Sequence, residues 1–207
     1  MFWLWFLGIL GAIFLLQWYL FRIPDGKPYV GNLNAVIDET LEGTAVSNSH
    51  FSRYASAFRT GSEPFVVESV VLRVLCVAGL SVTLRVLLYE DGENGPTGPN
   101  LIDAWPVQTC SGDSFENVNL TRAARQKYVL QPNRTYWIAF YDNNTAGETS
   151  AEWARTTDNG LDQPSKPGAS IPSTANFFVS GSRGTKWTPG ETGAPGMFRI
   201  YVSQLNS

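Results

Sequence analysis

Val66-Val67-Glu68-Ser69-Val70-Val71-Leu72-Arg73-Val74-Leu75-Cys76 and the nearby Val82-Thr83-Leu84-Arg85-Val86-Leu87-Leu88-Tyr89-Glu90 decide the fold class. Side chains of an extended strand point alternately to its two faces, so an apolar residue at every second position marks a strand with one buried side. In the first stretch Glu68, Val70, Leu72, Val74 and Cys76 share a face. In the second, Val82, Leu84, Val86 and Leu88 do so, with Thr83, Arg85 and Tyr89 opposite.

Outward from this pair, the same reading predicts strands over 53–58, 101–108, 114–120, 126–130, 135–141, 148–154, 176–179 and 197–204. Polar, Gly- and Pro-containing pieces separate them. No amphipathic helix interrupts the series. The expected fold class is therefore mainly β: an antiparallel β-sandwich or jelly-roll domain spanning 46–207. The stretch 90–100 (EDGENGPTGPN) reads as a polar loop, and 156–174 as a long Pro/Gly/Ser excursion.

The other end of the chain reads differently. Met1 to Phe21 (MFWLWFLGILGAIFLLQWYLF) contains no charged side chain and is followed by Arg22 and Ile23-Pro24-Asp25-Gly26. Twenty helical residues at about 1.5 Å each cover the roughly 30 Å of a bilayer's hydrocarbon core. The segment lacks the basic start and the small-x-small cleavage site of a signal peptide. Residues 1–22 are thus expected to form a single transmembrane helix, with 23–45 as an exit linker. Trp3 and Trp5 near its start, and Trp18 and Tyr19 near its end, suit the two water interfaces. Gly8 and Gly11 offer a flat spot for a neighbouring helix, although their spacing is not G-x-x-x-G.

Charge excludes one class of function. The net charge is −3, the pI is near 5.2 and the 15 basic residues are scattered, so nothing resembles a nucleic-acid footprint. Arg22 and Lys27 would favour a cytoplasmic domain by the positive-inside rule. Scarce lysine and abundant Thr, Ser, Asn and Gly pull the expectation to the extracytoplasmic, periplasmic side of the membrane. Cys76 and Cys110, 34 residues apart, could form one disulfide there or be two buried thiols. Their spacing matches no zinc pattern.

Four stretches occur in a recognisable order. They are Tyr54-Ala55-Ser56-Ala57-Phe58-Arg59-Thr60-Gly61, Val66 to Arg73, Val86-Leu87-Leu88-Tyr89-Glu90-Asp91 with Gly95-Pro96-Thr97-Gly98, and Thr135-Tyr136-Trp137-Ile138-Ala139-Phe140. Over roughly residues 50–141 this succession resembles the choice-of-anchor type domains, bacterial surface modules found next to a membrane or wall anchor. The resemblance implies a β-sandwich used for display or interaction rather than catalysis. It transfers no functional residue by position. Its anchors are commonly C-terminal, whereas the hydrophobic segment here is N-terminal.

Chemistry-bearing patterns are few. His50, in Ser47-Asn48-Ser49-His50, is the one histidine; no G-x-S-x-G elbow, metalloprotease or phosphate-loop signature accompanies it. Two loops, Asp91/Glu93/Asn94 and Asp158/Asn159/Asp162, carry oxygen ligands suited to calcium, yet Asp and Asn are also ordinary turn residues. Trp105, Trp153 and Trp187 could stack on sugars or serve as core anchors. No catalytic, cofactor-binding or metal residue is assigned. The expected function is a non-enzymatic accessory subunit of a multi-subunit membrane complex, a bacterial photosynthetic reaction-centre and light-harvesting core being one candidate. Its partners would be other membrane-protein subunits and the lipid bilayer. The alternative is a membrane-tethered surface module that binds carbohydrate or protein.

Overall fold

A computed structural model of the protein describes residues 27–35, 53–76, 82–92, 95–96, 100–102, 108–110, 114–121, 128–142, 151–156, 161, 168–172, 177–180, 186–189 and 194–204. These residues are mainly β. Every strand pairing among them is antiparallel. One sheet is built around the 12-residue strand β3 (Phe65–Cys76). Strand β13 (Phe198–Gln204) and then β10 (Ala151–Trp153) pair with it, as do β7 (Glu116–Thr121) and β8 (Val129–Leu130), while β1 (Lys27–Gly31) adds to β13. The second sheet runs β12 (Thr188–Pro189), β11 (Phe177–Ser180), β2 (Arg53–Arg59), β9 (Thr135–Asp142), β4 (Val82–Glu90) and β5 (Asn100–Ile102), with β6 (Gln108–Cys110) also on β4.

Alternation explains how the sheets meet. Val70, Leu72 and Val74 of the first sheet and Leu84, Val86, Leu88, Ile138 and Phe140 of the second are fully buried in one cluster. The two inner faces therefore share one core, in a sandwich-like arrangement. Burying a side chain of this size stabilises by roughly 1.5–3 kcal/mol, and the shared core is where most such burial lies. The outer faces carry smaller clusters. Ala55, Ala57, Leu87, Tyr89, Trp137, Ala139, Phe178 and Trp187 cover the second sheet, and Leu33, Val71, Ala154 and Met197 the first. Thr83, Arg85 and Tyr89 were expected on a solvated face. Instead Tyr89 is buried, with the Trp187 ring edge-on at 6.0 Å.

Several sequence expectations need correction. Glu68 does not lie on the core face of β3. Val67 pairs with Val202 and Ser69 with Tyr201, so a bulge falls at Glu68 and the facing parity flips there. Phe65 and Val67 face the core instead, and half-buried Glu68 accepts a hydrogen bond from Ser203 Oγ. The stretch 23–45 is not linker throughout, because Lys27–Gly31 is β1 and Tyr29 and Val30 are buried. Pro28 and Gly31 are residue types depleted in strands, but β1 is an edge strand with its own register shift, where proline is tolerated. A Cβ on Gly31 would sit 2.7 Å from the Phe198 carbonyl oxygen, so glycine allows the close approach. The single strand expected over 101–108 is two short ones, β5 and β6, and the two-residue β12 gave no periodic signal.

Among the described residues no helix is long and apolar enough to cross a membrane. The expected anchor, 1–22 with Trp3, Trp5, Gly8, Gly11, Trp18 and Tyr19, lies outside them, as does most of the 156–174 loop.

Candidate functional site at one end of the sandwich

The chain passes from β2 to β3 and from β8 to β9 at the same end of the domain, and β4 finishes there. The local sequence explains the build. After Arg59, Thr60 is buried; its hydroxyl donates to the Gln131 carbonyl at 2.7 Å and accepts from the Arg134 amide at 2.8 Å. Its own amide donates to the Arg134 carbonyl at 2.8 Å. Asn133 adopts φ 55°, a left-handed conformation asparagine tolerates better than most residues, and its amide donates to the Gly61 carbonyl at 2.9 Å. The Gly61 amide in turn donates to Tyr29 Oη at 2.9 Å. Edge strand β1 is thereby tied to the β2–β3 connection.

Strands β4 and β9 supply the other wall. Their register places Tyr89 opposite Trp137 and Glu90 opposite Tyr136. The Trp137 indole N–H donates to Asp91 Oδ1 at 2.7 Å, the Tyr128 hydroxyl donates to Glu90 Oε1 at 3.1 Å, and the Gln131 amide donates to Tyr136 Oη at 2.8 Å. Tyr128 packs against the inner core and Trp137 belongs to the outer cluster. Glu90, the last residue of β4, and Asp91, just past it, are thus held by different clusters, yet both border the same end of the sandwich. Burial pushes the Tyr128 phenol well above its ordinary range, with the neighbouring Tyr136 and Glu90 adding to it. Burial also raises Tyr29, partly offset by the hydrogen bond from Gly61.

Between these walls lies a polar cavity of about 490 Å³, lined by Arg59, Glu90, Asp91, Arg134 and their neighbours on the turn and on β9. Arg59, Asp91 and Arg134 are exposed and Glu90 half-buried, over a floor of buried Tyr136. Two guanidinium groups and two carboxylates in one recess suit a small polar molecule bearing both signs of charge. The described lining residues hold no nucleophile beside a histidine.

No protein-family model matches the chain, and no curated protein matches it. The likeness to choice-of-anchor domains rests on the ordered motifs alone. The structure gives those motif residues work inside the fold. Phe58 stacks on Tyr136 at 5.7 Å, Thr60 organises the 131–134 turn, and Asp91 holds Trp137. Trp137 meets Phe178 edge-on at 5.0 Å, and a Cβ on Gly95 would strike the Phe178 ring at 2.8 Å.

The other sequence candidates are not brought together. Trp153 is buried and donates to the Met197 carbonyl at 2.9 Å, so it is a core anchor rather than a sugar platform. Trp187 is buried over the second sheet. His50, Trp105, Glu93, Asn94, Asp158, Asn159 and Asp162 lie outside the described residues. Within those residues no three His, Cys, Asp or Glu side chains are grouped to hold a metal. Cys76 is disulfide-bonded, and Cys110 is the chain's one other cysteine. Thr60 stood in a quoted motif without an assigned role, and sequence reasoning passed over Tyr128 and Asn133. The Pro132-Asn133 turn signal marks the second of these, while nothing local marks the first.

Proposed function

We propose that the chain is a non-enzymatic accessory subunit of a multi-subunit membrane complex, anchored by residues 1–22, with its β-domain of the choice-of-anchor kind on the extracytoplasmic face. The observation that carries this reading is the place of β1. Only Ile23 to Gly26 separate Arg22 from an edge strand hydrogen-bonded into the first sheet. A domain joined so closely to an apolar segment is suited to hold a fixed pose on a host. Two further observations support it. The disulfide at Cys76 fits an oxidising compartment, and Glu90 and Asp91 serve as acceptors for fold-holding tyrosine and tryptophan donors.

Gentle solubilisation of native membranes followed by sizing and mass spectrometry tests the proposal. Co-migration with other membrane subunits is expected, and their identity, photosynthetic core polypeptides included, names the host. Migration as a small free protein overturns the subunit reading. It would favour a tethered binding module instead, which the mixed-charge cavity supports as a second reading. Whole chain in detergent on a glycan array then separates a carbohydrate-binding module from a protein-binding one.

A further inference from the structure

The strand directions fix which end of the domain lies nearest the proposed anchor. Lys27, at the start of β1, pairs with Val202, and Val202 pairs with Val67 near the start of β3. Phe65 pairs with Gln204 and with Leu130 at that same end. Arg59 pairs with Thr135, and Glu90 with Tyr136, so β2, β4 and β9 bring the cavity there too. The opposite end carries Cys76 and Val82. The five residues from Arg22 to Gly26 extend at most about 17 Å. Strand β3, 12 residues long, covers about 40 Å at 3.3 Å per residue. With residues 1–22 in the bilayer, as proposed above, this tether keeps Lys27 within about 17 Å of the membrane surface, less than half the length of the domain, and the cavity end is the end it holds there.

We propose that the mixed-charge cavity lined by Arg59, Arg134, Glu90 and Asp91 faces the bilayer and takes a zwitterionic phospholipid headgroup bearing a primary ammonium. This inference rests on the anchor reading above. Charge complementarity selects the headgroup. Guanidinium groups match phosphodiester oxygens with paired N–H donors, and the carboxylates accept N–H hydrogen bonds from an ammonium. A quaternary ammonium offers no N–H to them. A headgroup with phosphate alone leaves Glu90 and Asp91 facing an anion.

The test uses the full chain reconstituted into vesicles containing phosphatidylcholine, phosphatidylethanolamine and phosphatidylglycerol in equal amounts. Retention of the protein with floated vesicles at high pH reads the anchor by itself. Benzoylphenylalanine placed at exposed Ser62, in the β2–β3 connection, or at exposed Glu116, at the far end of β7, reads which end meets lipid. Crosslinks to lipid are expected from position 62 and not from 116. Among the crosslinked lipids phosphatidylethanolamine should be enriched about threefold over the other two, the scale of one exposed ion pair. The double substitution Glu90→Gln and Asp91→Asn, which keeps acceptors for Tyr128 and Trp137, should abolish that enrichment while leaving the crosslink from position 62. Loss of flotation overturns the anchor reading. Retained flotation with crosslinks from 116, or crosslinks from 62 without headgroup preference, overturns this inference and leaves the anchor standing.

Discussion

The two ends of the sandwich are closed by different chemistry. At one, Thr60, Tyr29, Asn133 and Tyr136 join strands through hydrogen bonds to backbone groups and leave a cavity among exposed charges. At the other, Cys76 on β3 is disulfide-bonded, and the remaining cysteine, Cys110, stands opposite Val82 on β4 in the other sheet. A covalent tie restricts the unfolded chain as well as the folded one, whereas a hydrogen-bonded turn acts only once the end has formed. The hydrogen-bonded end is therefore the one able to open locally without loss of the core.

The largest effect expected lies at the covalent end. Closing a loop between residues 34 apart contributes about 3–4 kcal/mol in the chain-entropy account. Cys76→Ser should lower the urea midpoint accordingly, and an unchanged midpoint would show that the sheets hold that end unaided. Next comes Thr60→Val, which keeps the shape but strips partners from the Gln131 carbonyl and the Arg134 amide. A loss of about 1–3 kcal/mol is expected, together with faster amide exchange at Asn133 and Arg134 and unaltered exchange along β3 near Cys76. Acceleration at both ends alike would mean that the ends are not independent. A smaller loss, about 1 kcal/mol, should follow Asp91→Ala, which leaves the Trp137 indole N–H without its acceptor. It is read by thermal unfolding beside Asp91→Asn, which keeps an acceptor and should recover most of the loss.

The same contrast separates what could be read from the sequence and what could not. Period-two alternation located β2, β3, β4, β9 and β13 to within a residue or so, because those strands bury one face in a shared core. It failed at Glu68, since a bulge is decided by the partner strand and not by the strand's own pattern. It failed at Tyr29 and Val30, where Pro28 and Gly31 masked an edge strand that tolerates both. Trp137 and Asp91 were visible as motif members, but their pairing depends on the β4–β9 register, which joins residues 46 apart. The cavity was illegible for the same reason: Arg59, Glu90 and Arg134 lie on three separate strands or turns, and only their convergence makes a site.

The smallest expected effect comes from Tyr128, which belongs to the hydrogen-bonded end. Its phenol donates to Glu90, and burial raises it above the ordinary value of 10.0. Above about pH 10 the unfolded chain releases this proton while the folded chain retains it. Fewer protons are then bound in the unfolded state, so stability falls as pH rises from there toward the folded-state value, and the contribution is fully present below pH 10. Because the ring is only half-buried, solvent screening keeps the effect modest. Melting temperatures of the native protein and Tyr128→Phe, measured from pH 8 to pH 11, should fall in parallel up to about pH 10 and diverge above it, with the native protein dropping more steeply. Parallel curves throughout would mean that the phenol ionises alike in both states, and that this end owes nothing to the Tyr128–Glu90 contact.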